Sequence, residues 1–200
     1  YDGELDHIEI AAEYLENGAT ALSILTEQHY FKGNIQYIAD IRKSFPEAHI
    51  LLKDFILSKK QITQALLYGA DAILLIVAFL SLEQLSQLHE YALRLGITPL
   101  IEVHNKTELE VALRLHPKLI GINNRNLKTL EINMETSQNL MKHIPRGVRA
   151  ICESGITCLG QITEMTSLGY DGFLIGSTFM THHNPGKALK RLLSGGDDAN

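Results

Sequence analysis

Short apolar runs alternate with longer amphipathic stretches along most of the 200-residue chain. The apolar runs are continuous and rich in β-branched residues, which is typical of strands buried on both faces, and nearly all of them end at polar residues. Because a helical pattern follows each run, the order predicts a parallel sheet covered by helices. The seven predicted strands are Ala21–Glu27, Ile50–Phe55, Ala72–Ala78, Pro99–His104, Leu119–Arg125, Arg149–Gly155 and Gly172–Ser177.

The clearest helical pattern runs from Ser81 to Leu95, where leucines recur at helical spacing and Gly96 follows as a C-terminal cap. The first element, roughly residues 4–17, is also predicted to be a helix.

A glycine precedes a strand at three similar junctions, Gly18, Gly69 and Gly169. Their spacings, 69 − 18 = 51 and 169 − 69 = 100 residues, correspond to two and four units of roughly 25 residues. The chain is therefore expected to repeat one strand–helix unit.

Two architectures accommodate this repeat: an open doubly wound sheet and a closed (β/α)8 TIM barrel. Polar groups follow nearly every predicted strand, and a barrel collects such groups from many strands, so the barrel is favoured. A barrel of this type has eight strands in about 250 residues. We therefore expect residues 1–193 to form an α/β barrel domain from which the first strand and the preceding helix are absent, followed by a disordered tail at 194–200.

Composition excludes several classes of function. Eighteen basic and 23 acidic residues give a net charge of −5, and no dense Lys/Arg run predicts a nucleic-acid partner. The longest apolar run, Ala72–Leu80, is too short to span a membrane, so a cytoplasmic protein is expected. The two cysteines, Cys152 and Cys158, are expected to be reduced thiols. His182 and His183 have no third ligand at a suggestive spacing, so no metal site is predicted.

Glu102 lies in the apolar run "LIEVH", where an unpartnered ionised carboxylate would be very costly. A barrel mouth would give Glu102 polar surroundings. Lys53 in "LLKDF" also lies in an apolar run, and a lysine is almost never fully buried without a partner, so it is expected at the same mouth. A lysine at the rim is a natural acid for protonating a carbonyl oxygen. A Lys53–Glu102 salt bridge without chemistry is the open alternative.

Further polar side chains follow the fifth and sixth predicted strands. In "GINNRNL", Asn123 and Arg125 are two residues apart and are predicted to share one strand face. Asn124 and Asn126 are as likely to form turns as contacts. Glu153 and Ser154 end the sixth predicted strand.

Phosphate binding is predicted at the loops after the last two strands. Gly155 and Gly176 allow backbone amides to approach a ligand closely, Ser177 ends the last predicted strand, and the helix N-termini that follow are ready anion sites. Barrels often bind phosphate at these two loops. An ordinary tight turn at each glycine is the alternative.

Taken together, these motifs resemble the indole-3-glycerol phosphate synthase family, whose fold is the (β/α)8 barrel. The resemblance covers residues from about Leu5 to about Leu193. It rests on eight motifs in family order: "LSILTE", "YFKG", "LLKDFI", "GADAILLIVA", "LIEVH", "IGINNRNLKTLEI", "ESGI" and "GFLIGS".

The resemblance implies a lyase of tryptophan biosynthesis. Its members close the indole ring of 1-(2-carboxyphenylamino)-1-deoxyribulose 5-phosphate with loss of carbon dioxide and water, and they need no cofactor. The expected partner is a phosphorylated small molecule. A monomer is expected, with possible association with other tryptophan-pathway enzymes.

The resemblance also assigns roles by position. Lys53 is similar to the family's general acid and Glu102 to the residue that assists ring closure and dehydration. The remaining matches are Asn123, Glu153 and Ser154 as catalytic-site groups, Arg125 beside the anthranilate end, Phe31, Phe55 and Leu74 as apolar walls, and Gly155, Gly176 and Ser177 around the phosphate.

The family's first strand, with its Glu and Lys, and the Ser-Pro-Ser loop after it have no match in this sequence. We therefore expect either that residues precede Tyr1 in the natural protein, or that the chain is a truncated barrel fragment that binds phosphate ligands without catalysis. A Schiff-base aldolase with Lys53 as its nucleophile is a further alternative.

Overall fold

The computed structural model describes residues 6–196. Seven parallel strands lie in sequence order and curl into a nearly closed barrel. A doubly wound sheet would reverse its strand order, so the uninterrupted order confirms the barrel. The strands are β1 Leu22–Leu25, β2 Ile50–Lys53, β3 Ala72–Ile76, β4 Thr98–Val103, β5 Leu119–Asn123, β6 Arg149–Glu153 and β7 Gly172–Leu174.

Helices connect successive strands across the outside of the barrel, and a 3-10 turn, Val77–Phe79, follows β3. The predicted helix at residues 81–95 is confirmed as α4, which Ser81 and Gln84 cap reciprocally at its start. The helices are α1 His7–Glu16, α2 Gln36–Ser44, α3 Lys59–Tyr68, α4 Leu82–Arg94, α5 Lys106–Leu113, α6 Glu135–Met141, α7 Leu159–Leu168, α8 Ser177–Met180 and α9 Pro185–Ser194.

Every predicted strand is present, but each ends one to three residues before its predicted bound. β2 ends at Lys53 rather than Phe55, and β5 ends at Asn123 rather than Arg125. The backbone leaves the sheet there because side chains take over its hydrogen bonds. Asp54, for example, accepts bonds from the Thr26 hydroxyl at 2.6 Å and from the Phe55 amide at 2.7 Å.

Side chains alternate between two apolar layers along each strand. On β4, Ile101 and Val103 pack in the main core between sheet and helices, whereas Leu100 packs inside the barrel with Leu74 and Ile76. Because alternation has a period of two, Glu102 points to the same side as Leu100. This places the carboxylate inside the barrel, above an apolar floor.

The predicted glycine junctions recur in the structure at the opposite end of the strands. Gly69 and Gly169 end α3 and α7 with φ values of 97° and 112°, a conformation that favours glycine. The next acidic residues then bind the start of the preceding strand: Asp71 accepts the Ile50 amide, and Asp171 accepts the Ala150 amide. These contacts fasten consecutive units together.

The chain ends differ from the expected bounds only slightly where they are described. Asp6 caps α1, whose predicted residues before Asp6 lie outside the described part. At the other end α9 continues to Ser194, and Gly195 caps it with a φ of 71°. The rest of the predicted tail, 197–200, also lies outside the described residues.

Candidate active site

Four of the predicted catalytic side chains meet inside the barrel at the carboxyl ends of its strands. Lys53 ends β2, Glu102 lies near the end of β4, Asn123 ends β5 and Glu153 ends β6. All four occupy inward-facing positions of the alternation that also directs Leu100 inward.

Glu102 is the centre of this cluster and is 1% exposed. Its Oε2 lies 3.9 Å from Lys53 Nζ, and its Oε1 lies 3.0 Å from His104 Nε2. Burial opposes ionisation of Glu102, but His104, Lys53 and Asn123 together hold its pKa below the ordinary value. Glu102 is therefore a carboxylate with cations on two sides.

Glu153 behaves in the opposite way. It is also 1% exposed, and among the described residues neither of its carboxyl oxygens has a hydrogen-bond partner. Burial, followed by the nearby negative charge of Glu102, raises the pKa of Glu153 well above its ordinary value. Two buried carboxyl groups in different protonation states are a common arrangement for proton transfer.

Asn123 and Arg125 do not share a strand face, because β5 ends between them. The prediction of a common face was wrong for that reason. The Arg125 amide donates to Asn123 Oδ1 at 2.9 Å, while the Arg125 guanidinium donates to the Leu130 carbonyl at 3.0 Å. Arg125 thus belongs to the loop above the site, and its contact with a substrate remains a prediction.

The two remaining asparagines of this segment have structural partners. Asn124 is 2% exposed, donates to the Ser154 carbonyl and accepts the Ser137 amide, each at 3.0 Å. Asn126 accepts the Lys128 amide and so forms a turn, which the sequence allowed.

Aromatic side chains form one wall of the mouth. The predicted pair Phe31 and Phe55 have ring centroids 6.4 Å apart. Phe79, which sequence reasoning missed, meets Phe55 edge to face at 5.3 Å and is 49% exposed. Leu74 lies lower, 1% exposed, in the apolar cluster that also touches Phe55. Leu74 therefore supports the wall from the barrel floor.

The loop that carries Phe31 is held by one carboxylate. Glu27 accepts the amides of His29, Tyr30 and Phe31 at 2.7 to 3.0 Å. Slight desolvation opposes ionisation of Glu27, but these three amides lower its pKa. Glu27 thus fixes the loop after β1 beside the aromatic wall.

The predicted phosphate residues lie on two neighbouring loops. Ser154 and Gly155 form a sharp turn after β6, with φ values of 65° and 89°. Gly176 and Ser177 begin α8 and are exposed. The Thr178 hydroxyl donates to the Ile156 carbonyl at 2.8 Å and joins the two loops. Binding of phosphate here remains a prediction.

His104 is a second residue that sequence reasoning missed. Besides its contact with Glu102, its Nδ1 lies 3.0 Å from Glu108 Oε2 on α5. Burial would lower the pKa of His104, but the two carboxylates overcome this and raise it to about 9. The "EVH" spacing puts Glu102 and His104 on one face, which was the available signal.

Three other features bear on the class of site. Cys152 and Cys158 are both unpaired thiols, of which Cys152 is buried and Cys158 is exposed. Within residues 6–196 no cluster of His, Cys, Asp and Glu is suited to hold a metal ion. A search of the same residues found no helix long and apolar enough to cross a membrane.

Comparison with known proteins decides the family. A family model described as indole-3-glycerol phosphate synthase matches residues 2–192. The chain belongs to the indole-3-glycerol phosphate synthase family. It is 45% identical to the synthase of Sulfurimonas denitrificans over 95% of this chain and 72% of that protein. It is 42% identical to the synthase of Campylobacter jejuni over 95% of this chain and 73% of that protein.

Solved structures support the barrel fold independently of close sequence similarity. The 3-hexulose-6-phosphate synthase of Salmonella typhimurium superposes with a TM-score of 0.77 at 12% identity, covering 97% of this chain and 96% of that one. A crystal structure of KGPDC from Streptococcus mutans gives a TM-score of 0.71 over 94% of this chain and 90% of that one. At such low identity these likenesses establish the barrel fold alone.

Proposed function

We propose that Lys53, Glu102 and Glu153 form the proton-transfer centre of the indole-3-glycerol phosphate synthase reaction in this chain. The family assignment gives the overall chemistry, a carbon–carbon lyase step of tryptophan biosynthesis. The observation that carries the assignment of roles is the placement of a lysine, a carboxylate and a neutral carboxyl group at one barrel mouth.

Lys53 acts as the general acid in this proposal. As the aromatic carbon attacks the ribulose carbonyl carbon, Lys53 gives a proton to the carbonyl oxygen. Its side chain is 25% exposed, so it reaches solvent and substrate, whereas its partner Glu102 is almost fully buried. The new carbon–carbon bond is followed by departure of carbon dioxide and then of the hydroxyl group as water.

Glu102 and Glu153 carry out the proton transfers that follow ring closure. Glu102 is ionised and accepts the proton lost as the indole ring becomes aromatic, while protonated Glu153 donates to the departing hydroxyl group. Asn123, which favours the charged form of Glu102, keeps that carboxylate in place. Ser154 lies beside Glu153 at the strained turn and is proposed to contact the substrate.

Substrate orientation is assigned to the walls and loops. Phe31 and Phe55 hold the flat anthranilate ring, and Arg125 binds its carboxylate. Backbone amides at Gly155, Gly176 and Ser177 are proposed to bind the phosphate. Because the flexible substrate must bring its two ends together, this orientation contributes much of the rate acceleration. We further propose a cytoplasmic monomer.

The test is synthase activity of the natural gene product with the anilino-deoxyribulose phosphate substrate, followed by indole-3-glycerol phosphate fluorescence. Lys53→Ala is expected to lower kcat by about 10²–10⁴-fold, the range for loss of a general acid. Lys60→Ala, on the exposed outside of α3, is the matched control and should retain activity. Normal turnover by Lys53→Ala would reject the acid assignment.

Borohydride treatment with substrate separates this mechanism from the aldolase alternative. A Schiff base on Lys53 would be reduced to a stable adduct detectable by mass spectrometry, whereas general acid catalysis forms none. An adduct on Lys53 would replace the proposed mechanism.

A further inference from the structure

His104 connects the buried carboxylate of the site to a second carboxylate behind it. Its Nε2 lies 3.0 Å from Glu102 Oε1, and its Nδ1 lies 3.0 Å from Glu108 Oε2. The His104 side chain is only 10% exposed. The carboxylates on its two sides stabilise the imidazole as a cation, through a hydrogen bond at Nδ1 and an ion-pair contact at Nε2.

Glu108 is itself held firmly in place at the start of α5. It accepts the backbone amide of His104 at 2.8 Å and the Asn105 side-chain amide at 2.7 Å. Asn105 in turn caps α5 by accepting the Glu108 amide. The turn between β4 and α5 therefore fixes the position of the His104 ring.

The charges around His104 form a balanced set. Within the described residues the groups that face or influence it are Glu102 on β4, Glu108 on α5, Lys53 on β2 and Glu153 on β6. With Glu153 protonated, two cations face two carboxylates. Without the His104 charge the same pocket would hold one excess negative charge, which burial disfavours strongly.

We propose that His104 is a positioning residue that keeps Glu102 ionised, so that of the two buried carboxyl groups Glu153 is the one that carries a proton. The inference rests on the proposed roles of these two carboxyl groups. His104 need not touch the substrate, because it acts through Glu102. Glu108 supports it from behind by holding the ring as a cation.

The first test is independent of activity. In protein labelled on histidine, ring 15N shifts are followed with pH, and His104→Gln identifies the His104 signal among the nine histidines. The His104 ring is expected to titrate near pH 9, well above the ordinary value of about 6.5. Exposed His49 serves as the internal comparison. A neutral His104 ring at pH 7 would overturn the proposal.

The second test uses the pH dependence of kcat/KM in the natural gene product. His104→Gln keeps a hydrogen-bond donor but removes the charge, so the acidic limb should move up by about one pH unit or more while KM changes little. Activity should recover at pH values above the shifted limb. An equal loss of activity at every pH would mean that His104 is merely structural and would overturn the proposal.

Glu108→Gln provides a variant that keeps the imidazole. It should lower the titration midpoint of the His104 ring by about one pH unit or more. An unchanged His104 titration would contradict the supporting role of Glu108. His49→Gln, at an exposed site, should leave both titration and profile unaltered.

These tests separate the two proposals. If the wild-type protein forms no indole-3-glycerol phosphate, the proposed function fails, and the His104 titration still decides whether His104 pairs with Glu102. If the protein is active but the His104 ring is neutral at pH 7, the synthase assignment stands and the inference about His104 is rejected.

Discussion

Gly121 on β5 makes room for the carboxyl group of Glu153 on β6. A Cβ atom placed on Gly121 would lie 1.9 Å from Glu153 Oε1 and 3.0 Å from its carboxyl carbon. No side chain fits at this inward-facing position while Glu153 keeps its place. The absence of a side chain at Gly121 is therefore part of the construction of the site.

Gly121→Ala is expected to displace Glu153, lowering kcat by on the order of 100-fold and stability by about 1–3 kcal/mol, the usual cost of overpacking. Thermal unfolding and steady-state kinetics measure both effects. Gly160→Ala, whose Cβ would meet only Cys158 Sγ at 3.8 Å, is the control. In the double variant with Glu153→Ala, the clash disappears, so the stability losses should not add. Additive losses would contradict the steric explanation.

Glu27→Gln is expected to loosen the loop that carries Phe31, because the amide oxygen replaces a carboxylate that binds three backbone amides. KM for the substrate should rise roughly tenfold while kcat changes little, since charge-assisted hydrogen bonds are the stronger class. Initial-rate kinetics measure this split. Glu47→Gln, at an exposed site on the loop before β2, should match the wild type. A fall in kcat at unchanged KM would argue against a positioning role for Glu27.

Phe79→Ala should weaken substrate binding by about 2–10-fold, which corresponds to the ~0.5–1.5 kcal/mol of an aromatic contact. Phe79 supports Phe55 edge to face, so its loss frees that ring. Phe79→Leu should recover only part of the affinity, because it restores apolar area but no ring. Titration calorimetry with a product analogue provides the measurement. Leu67→Ala, at an exposed apolar position on α3, is the comparison. Equal affinities of Phe79→Ala, Phe79→Leu and Leu67→Ala would mean that Phe79 does not contribute to substrate binding.

Glu153→Gln should be more stable than the wild type, by a margin that grows as pH rises, and should lose most of its activity. The pKa of Glu153 is raised in the folded state, so the unfolded chain ionises first, near pH 4.3. Wild-type stability is therefore lost as pH rises from about 4.3 through the folded pKa. Glutamine cannot ionise, so the free energy of unfolding of the variant should exceed that of the wild type by a margin that grows as pH rises above about 4.3. Urea unfolding at several pH values tests this.

Glu110→Gln, on the exposed face of α5, is the matched control for that experiment. Its stability should follow the wild-type curve at each pH. A Glu153→Gln curve that also runs parallel to the wild type would mean that Glu153 ionises normally in the fold.

The inner face of the barrel could be predicted from sequence because burial leaves a clear signature there. Glu102 stands out as a carboxylate in an apolar strand, and Lys53 stands out in the same way. The strand period then places both on the inner face. The strand ends were predicted too long, because side chains such as Asp54 replace the sheet hydrogen bonds beyond Lys53.

Residues beyond the strand ends were harder to predict, because alternation no longer sets their direction. The sequence predicts a strand at 72–78, but its last two residues belong to the 3-10 turn Val77–Phe79, which carries Phe79 to Phe55. Arg125 also lies beyond the end of its strand, so the strand period does not predict the direction of its side chain. His104 depends on Glu108, a partner from the next helix that strand spacing does not indicate.

Asp71 and Asp171 stabilise the barrel at the end that lies away from the candidate active site. Each carboxylate fastens one strand–helix unit to the start of the preceding strand, at the opposite end from Lys53 and Glu102. The side chains that stabilise the barrel and those of the candidate active site therefore lie at opposite ends of the same strands. Substitutions that strengthen these contacts at the amino ends of the strands should therefore raise stability without altering the side chains at the barrel mouth.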